Sequence, residues 1–297
     1  MQNKKIEILG ALMDLGASRR GVSLGPAAIR FAGVVEGLRA MGLAVDDLGD
    51  VLLPPEGKSL ENMRFYEQVV EMNRRIYEKN LEILERGNFP VLLGGDHSIA
   101  TGSVMASSKH FGKIGLIWVD AHGDWNNEES TETGNMHGMS FSAACGGGPA
   151  CMADFGQGPV YVDPRNCVQI GARDIDPAER ERMLASGITV FAIDKIDKFG
   201  IRSVMEQAID IASNGTEGIH LSYDIDVVSP EFAPGTGTTV HSGITVREAF
   251  TIVEMLAESG KLLAMDLVEV NPILDERNKT ASLGSELIQS ALGKVVF

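Results

Sequence analysis

Three apolar runs in this chain end on acids or imidazoles set two residues apart, and this pattern restricts its fold more than any other feature. Asp120, His122 and Asp124 follow the run at 114–119. Asp224 and Asp226 follow the run at 218–223, and His97 follows 89–93 and the turn Gly94-Gly95-Asp96. In extended backbone, residues i, i+2 and i+4 point to one side. Each run therefore aims its ligand-type side chains at one place. Four Asp and two His converging from three strand ends carry more charge than a dry core tolerates, and buried charges must be paired or must coordinate metal. The pattern predicts a two-metal site, and with it a hydrolase that activates water.

Strand-like runs at 6–9, 91–93, 114–119, 168–170, 188–192, 219–223 and 262–270 alternate with helical patterns. The helical patterns cover 25–41, 60–86, 98–110, a segment opening at 176–177, then 201–212, 246–258 and 281–292. Such alternation implies a parallel sheet with helices on both faces. No linker composition, low-complexity tract or internal repeat divides the chain, so 1–297 reads as a single α/β domain. The longest irregular stretches are 120–137, 144–165 and 224–243, and two of them begin at a ligand candidate. Long loops in compact domains are usually functional, and open α/β sheets bind ligands at the carboxyl ends of their strands.

Composition narrows the partners. With 26 Lys and Arg against 41 Asp and Glu, the formal charge is −15. That argues against nucleic acid or an anionic membrane and is compatible with a small cationic substrate. The three cysteines (Cys145, Cys151, Cys167) form no CxxC pattern. Their odd number fits a reducing compartment. The N-terminus lacks the apolar stretch of a signal peptide, and no apolar run is long enough to cross a bilayer. These features predict a cytoplasmic protein.

An oxygen-rich set with two imidazoles and no thiolate suits a hard or borderline divalent ion. Mn²⁺ is the natural choice, with Co²⁺, Ni²⁺ or Zn²⁺ competing on affinity. Two ions about 3.5–4 Å apart share one water and lower its pKa toward neutrality. Asp120 and Asp224 stand first in their motifs, nearest the rigid strands, and are the expected bridges. His97 and Asp124 complete one ion, and His122 and Asp226 the other. Of the remaining histidines, His110 is expected in solvent, His220 as a hydrogen-bonded core residue and His241 at the surface.

Taken together, the motifs resemble the ureohydrolase family, and within it the arginases of bacteria. The matching segments are Gly94-Gly-Asp-His-Ser98, Asp120-Ala-His-Gly-Asp124, Thr133-Gly-Asn-Met-His-Gly138, Ser222-Tyr-Asp-Ile-Asp226, Ala233-Pro-Gly-Thr-Gly-Thr238 and Val268-Glu-Val-Asn-Pro272. Met13-Asp-Leu-Gly16 with Arg20-Gly21 and Gly25-Pro26 also fits, so the likeness runs from about residue 5 to the C-terminus. The resemblance implies a three-layer α/β/α sandwich with a mostly parallel central sheet. It also implies two Mn²⁺ per chain on His97, Asp120, His122, Asp124, Asp224 and Asp226. The implied reaction is hydrolysis of L-arginine to L-ornithine and urea by a metal-bridging hydroxide. The guanidinium carbon is a poor electrophile, so the nucleophile must be strong and positioned. By the same resemblance Asp124 takes the water's proton, His137 serves acid/base transfer, and Glu269 pairs with the guanidinium. Asn126, Thr131, Thr133 and Asn135 match positions that contact the α-carboxylate. Asp176, with Glu179 nearby, matches the reader of the α-amino group, and Thr238 also lies in a substrate-binding stretch. Asp176-Pro177 is equally an ordinary helix start. Family members are often trimers or hexamers, which implies a homo-oligomer.

Some positions depart from the family pattern. Ser229 stands where an acid is usual, Thr133 replaces Ser, and Trp125 is bulkier than the usual residue. In Thr238-Thr-Val-His-Ser-Gly243, Thr239 replaces Pro and Ser242 replaces Gly, which predicts a loop of different shape. Two alternatives remain beside an arginase. One is a related amidinohydrolase acting on agmatine, guanidinobutyrate or N-hydroxyarginine. The other is a metal-bound but inactive binding protein, supported only by these altered loop residues.

Overall fold

The structure, a computed structural model, describes residues 4–156 and 158–295. Eight strands form one sheet in the order β2-β1-β3-β8-β7-β4-β5-β6. They are β1 (Ile6–Ala11), β2 (Val45–Val51), β3 (Phe89–Leu93), β4 (Gly115–Val119), β5 (Cys167–Ile170), β6 (Thr189–Phe191), β7 (Ile219–Asp224) and β8 (Leu262–Val268). Every pairing between neighbours in this sheet is parallel. The central strands β3, β4 and β7 are buried at every residue, as a sheet covered on both faces requires.

Helices complete the outer layers of the sandwich. Alternate residues of the strands, such as Ile117 and Val119 of β4, pack with α1 (Gly25–Phe31), α2 (Val34–Ala40), α8 (Ile201–Ala212), α9 (Val246–Ser259) and α10 (Lys279–Ala291). The intervening residues face the other way. Leu9 and Leu92 pack with α3 (Tyr66–Glu85), and Leu116 and Trp118 with α4 (Ala100–Phe111), α5 (Ser140–Ala144) and α6 (Pro177–Ser186). A short α7 (Ile193–Phe199) precedes α8. Among the described residues no helix is long and apolar enough to cross a membrane.

Several expectations are corrected. The helix expected over 25–41 is two helices, because Gly33 adopts φ 84, a left-handed conformation that glycine takes at little cost. The helix expected from residue 60 begins at Tyr66. Before it, Phe65 is itself left-handed (φ 53), and the Arg64 N–H is spent on the Gly134 carbonyl at 2.8 Å. The 60–65 segment is thereby tied to the loop over the site instead of to a helix. Strand β2 had no apolar signal to announce it. It is an acid-rich edge strand, with Asp47 and Asp50 held by Arg30 of α1 at 2.7 and 2.5 Å.

Candidate metal centre

The carboxyl ends of β3, β4, β7 and β8 meet at the middle of the sheet and carry the charged residues there. Beyond β3 the chain turns through Gly94 and Gly95 into a 3₁₀ turn, His97–Ile99, which Asp96 caps by accepting the Ser98 N–H. A Cβ at Gly95 would lie 2.6 Å from the Met13 carbonyl oxygen, so only glycine fits. Asp120 follows β4, and its Oδ1 accepts the His122 N–H at 2.7 Å. Asp224 ends β7 and accepts the Asp226 N–H at 2.8 Å, while Asp226 accepts the Ala121 N–H at 3.2 Å. Asp124 is held at φ 49, a left-handed conformation that a non-glycine residue adopts at some cost.

These residues gather as the strand-end spacing predicts. His97 Nδ1 lies 3.0 Å from Asp120 Oδ2, 3.2 Å from Asp124 Oδ2 and 3.2 Å from Asp224 Oδ2. His122 Nδ1 lies 3.0 Å from Asp226 Oδ2 and 3.3 Å from Asp120 Oδ1. Two groups with metal-ligand character result, His97–Asp120–Asp224 and Asp120–His122–Asp226, with Asp120 in both. Asp124 joins the His97 side. Asp224 faces the His97 group alone, with its other oxygen spent on the Asp226 N–H.

The donor set fits divalent cations on three grounds. The first is orphaned buried nitrogen: His97 Nδ1 makes no hydrogen bond despite three carboxylate oxygens around it, and His122 Nε2 has no partner. The second is the tautomer. His97 Nε2 contacts Ser222 Oγ at 2.9 Å, and Ser222 spends its own proton on Asp266 Oδ1 at 2.5 Å. His97 must then donate through Nε2, which leaves Nδ1 as the nitrogen that would ligate a cation once its proton is displaced. The third is charge. Burial, with neighbouring Asp120 or Asp226, pushes Asp124 and Asp224 well above the ordinary carboxylate range. Burial opposes charge on His97 and His122, yet the surrounding aspartates hold both well above the ordinary imidazole range. Four carboxylates cannot all ionise here unaided, whereas two divalent cations held by these residues would balance them and displace protons from the imidazoles.

Above the cluster opens a cavity of about 410 Å³ whose walls include His122, Asp124 and His137. Asn126, Thr131, Thr133, Asn135, Asp176, Glu179 and Thr238, all singled out from sequence, line it as well. Asp176 is the helix start expected, and it also lines the cavity. It opens α6, and its Oδ2 accepts from Asn126 Nδ2 at 3.2 Å on the cavity wall. Glu179 is buried and accepts the Trp125 N–H at 2.8 Å and the Asp176 N–H at 3.3 Å. Its contacts brace the loop after β4.

Glu269 follows β8 at φ 65 and is buried. Its Oε1 accepts the His97 N–H at 2.8 Å and sits 3.3 Å from His137 Nδ1. Its Oε2 is buried with no partner. A Cβ on the cavity-lining Gly237 would come within 3.7 Å of that oxygen. Burial alone would lower His137, but Glu269 pushes it up to about 9.

Sequence reasoning missed several contributors. Trp118 stacks on His97 with centroids 4.1 Å apart and donates Nε1–H to Asp120 Oδ2 at 3.1 Å. Ser222 and Trp118 each stand two residues before a ligand candidate, so the same alternation that exposed Asp120 and Asp224 pointed to them. Asp266 pairs with Ser222 across the β7–β8 register and also meets His220 Nε2 at 2.8 Å. His220 is thus the hydrogen-bonded core residue expected. His110 and His241 are exposed, also as expected. Arg173 carried no sequence signal. It donates to the carbonyls of Asp226, Val227, Val240 and His241 at 2.8–3.1 Å and clasps the loop after β7. Ser18 and Arg19 line the cavity without having been expected there.

The comparisons agree with this geometry. Residues 4–293 match the model of the arginase family. The arginase of Brevibacillus brevis is 44% identical over 293 residues, covering 98% of each chain. The crystal structure of arginase from Bacillus caldovelox superposes with a TM-score of 0.96 at 40% identity, over 99% of this chain and 100% of that one. A structure described as a hypothetical agmatinase from Burkholderia thailandensis gives 0.77 at 28% identity, over 98% of this chain and 85% of that one. From its folded sheet to its strand-end residues, the chain belongs to the arginase family.

Proposed function

We propose that this protein is an arginase, hydrolysing L-arginine to L-ornithine and urea with two Mn²⁺ per chain. The observation that carries the reading is Asp120 shared between two His/Asp groups at the floor of a cavity. His97, Asp124 and Asp224 would hold one ion with Asp120, and His122 and Asp226 the other. Bound divalent cations supply a Lewis-acid field that makes water ionise near neutral pH.

The remaining work falls to this chain's own groups. Asp124 lies at the junction of cluster and cavity, where it can take a proton from water and pass it to the departing amine. His137, protonated at neutral pH because of Glu269, is set to donate to that amine. The unpartnered Glu269 Oε2 offers a fixed carboxylate to a planar cation. Asn126, Thr131, Thr133 and Asn135 present amide and hydroxyl groups for the α-carboxylate, and Asp176 a negative charge for the α-amino group. A decarboxylated amine would leave these readers idle.

A urea-release assay with Mn²⁺ and a panel of L-arginine, agmatine and guanidinobutyrate tests the reading. L-Arginine is expected to give the highest kcat/KM. Faster turnover of agmatine would replace arginase with its sister activity, and no urea from any of them would remove the hydrolase.

A further inference from the structure

The Sγ atoms of Cys145 and Cys167 lie 3.5 Å apart, although 22 positions separate them in the chain. Cys145 follows α5 and is partly exposed, while Cys167 opens β5 and is buried. The backbones around them are already held together. The Val162 N–H donates to the Ala144 carbonyl at 3.1 Å, and Cys167 pairs with Leu116 in the sheet. Cys145 is followed by Gly146-Gly147-Gly148, with Gly146 at φ 79, a backbone conformation that glycine adopts at little cost. A disulfide needs its sulfurs about 2.05 Å apart. The two sulfurs must therefore approach by about 1.5 Å to bond.

We propose that Cys145 and Cys167 form a reversible disulfide when the protein meets hydrogen peroxide. Peroxide reaches the partly exposed Cys145 first. Its sulfur attacks the O–O bond, giving a sulfenic acid and one water. The Cys167 sulfur then attacks the sulfenic sulfur, and the leaving hydroxide takes the Cys167 proton to become a second water. Two thiols are oxidised by two electrons and one peroxide is reduced. The order follows from access, since Cys145 is partly exposed and Cys167 is buried. The bridge ties α5 to the sheet. Ser142 of α5 donates its N–H to the Asp124 carbonyl and its hydroxyl to the Asn126 carbonyl, so the staple lies one helix away from the cavity wall.

The test is thiol titration and intact mass on the full-length C151S protein before and after peroxide. The expected result is loss of both remaining thiols, a mass lower by two hydrogens, reversal by dithiothreitol, and a melting temperature several degrees higher in the oxidised form. C145S, altered at the partly exposed position, is expected to give no intramolecular bridge and no rise in melting temperature. Accumulation of sulfinic acid in C151S without a bridge would overturn the proposal, and so would a bridge that persists in C145S.

Discussion

One oxygen of Glu269 accepts the backbone N–H of His97 at 2.8 Å and sits 3.3 Å from His137 Nδ1. A single carboxylate thus fixes the turn that carries a ligand candidate, charges the imidazole above it and keeps its second oxygen free. Glu269→Gln retains the shape but removes the charge. It is expected to lower kcat/KM for L-arginine by about 100-fold, as loss of a charge-assisted contact of roughly 2–3 kcal/mol implies. Steady-state kinetics with metal content measured in parallel checks this. A change under about threefold would show that Glu269 does not meet the guanidinium.

His137→Asn is expected to reduce kcat by about 10²–10⁴-fold, the usual contribution of a positioned acid. Bound metal should stay at the wild-type level, because His137 pairs with Glu269 and lies outside both ligand groups. Metal loss in this variant, or an unchanged kcat, would remove its assigned role.

Burial raises the Glu179 carboxyl from 4.5 to about 7, with Trp125 and Asp176 N–H groups opposing. The folded protein therefore binds that proton more tightly than the unfolded chain does. Its contribution to stability is complete below about pH 4.5 and is lost as pH rises through about 7. The whole effect is at most about 3 kcal/mol. Glu179→Gln cannot titrate. Urea melts at pH 5 and pH 8, run at constant metal, are expected to show a smaller fall in stability for the variant than for the wild type. Parallel pH profiles would contradict this.

Arg173→Ala removes four contacts to carbonyls of the 226–241 segment, whose Thr238 and Thr239 line the cavity. The expected outcome is a rise in KM of about tenfold and a stability loss of roughly 1–3 kcal/mol. Lysine should not restore either, because its ammonium cannot reach several acceptors as the planar guanidinium does. Unchanged KM and melting temperature would show that the loop holds its shape alone.

How much of this was legible in the sequence follows from which physics each residue obeys. The ligand candidates declared themselves because period-two alternation and buried charge are both local signals. Strands β4 and β7 were readable for the same reason, as unbroken apolar runs fed into a covered sheet. Strand β2 was not, since an edge strand with Asp46, Asp47 and Asp50 takes its stability from its pairing with β1 and, for two of those acids, from Arg30. The break at Gly33 was visible only as a glycine inside a good helical pattern. Arg173 was invisible because the four loop carbonyls it clasps lie more than fifty residues away. The Cys145–Cys167 contact was likewise hidden, because only the fold brings the two positions together.

The central claim is that six side chains clamp a pair of divalent cations, with Asp120 between them. Titrating metal-stripped protein with Mn²⁺ by calorimetry, alongside Asp120→Asn, tests it most directly. The account predicts two ions per wild-type chain and a variant that loses tight binding at both positions, since one carboxylate serves both groups. Saturation of the wild type at a single ion, or an Asp120→Asn variant that still takes up two, would contradict it.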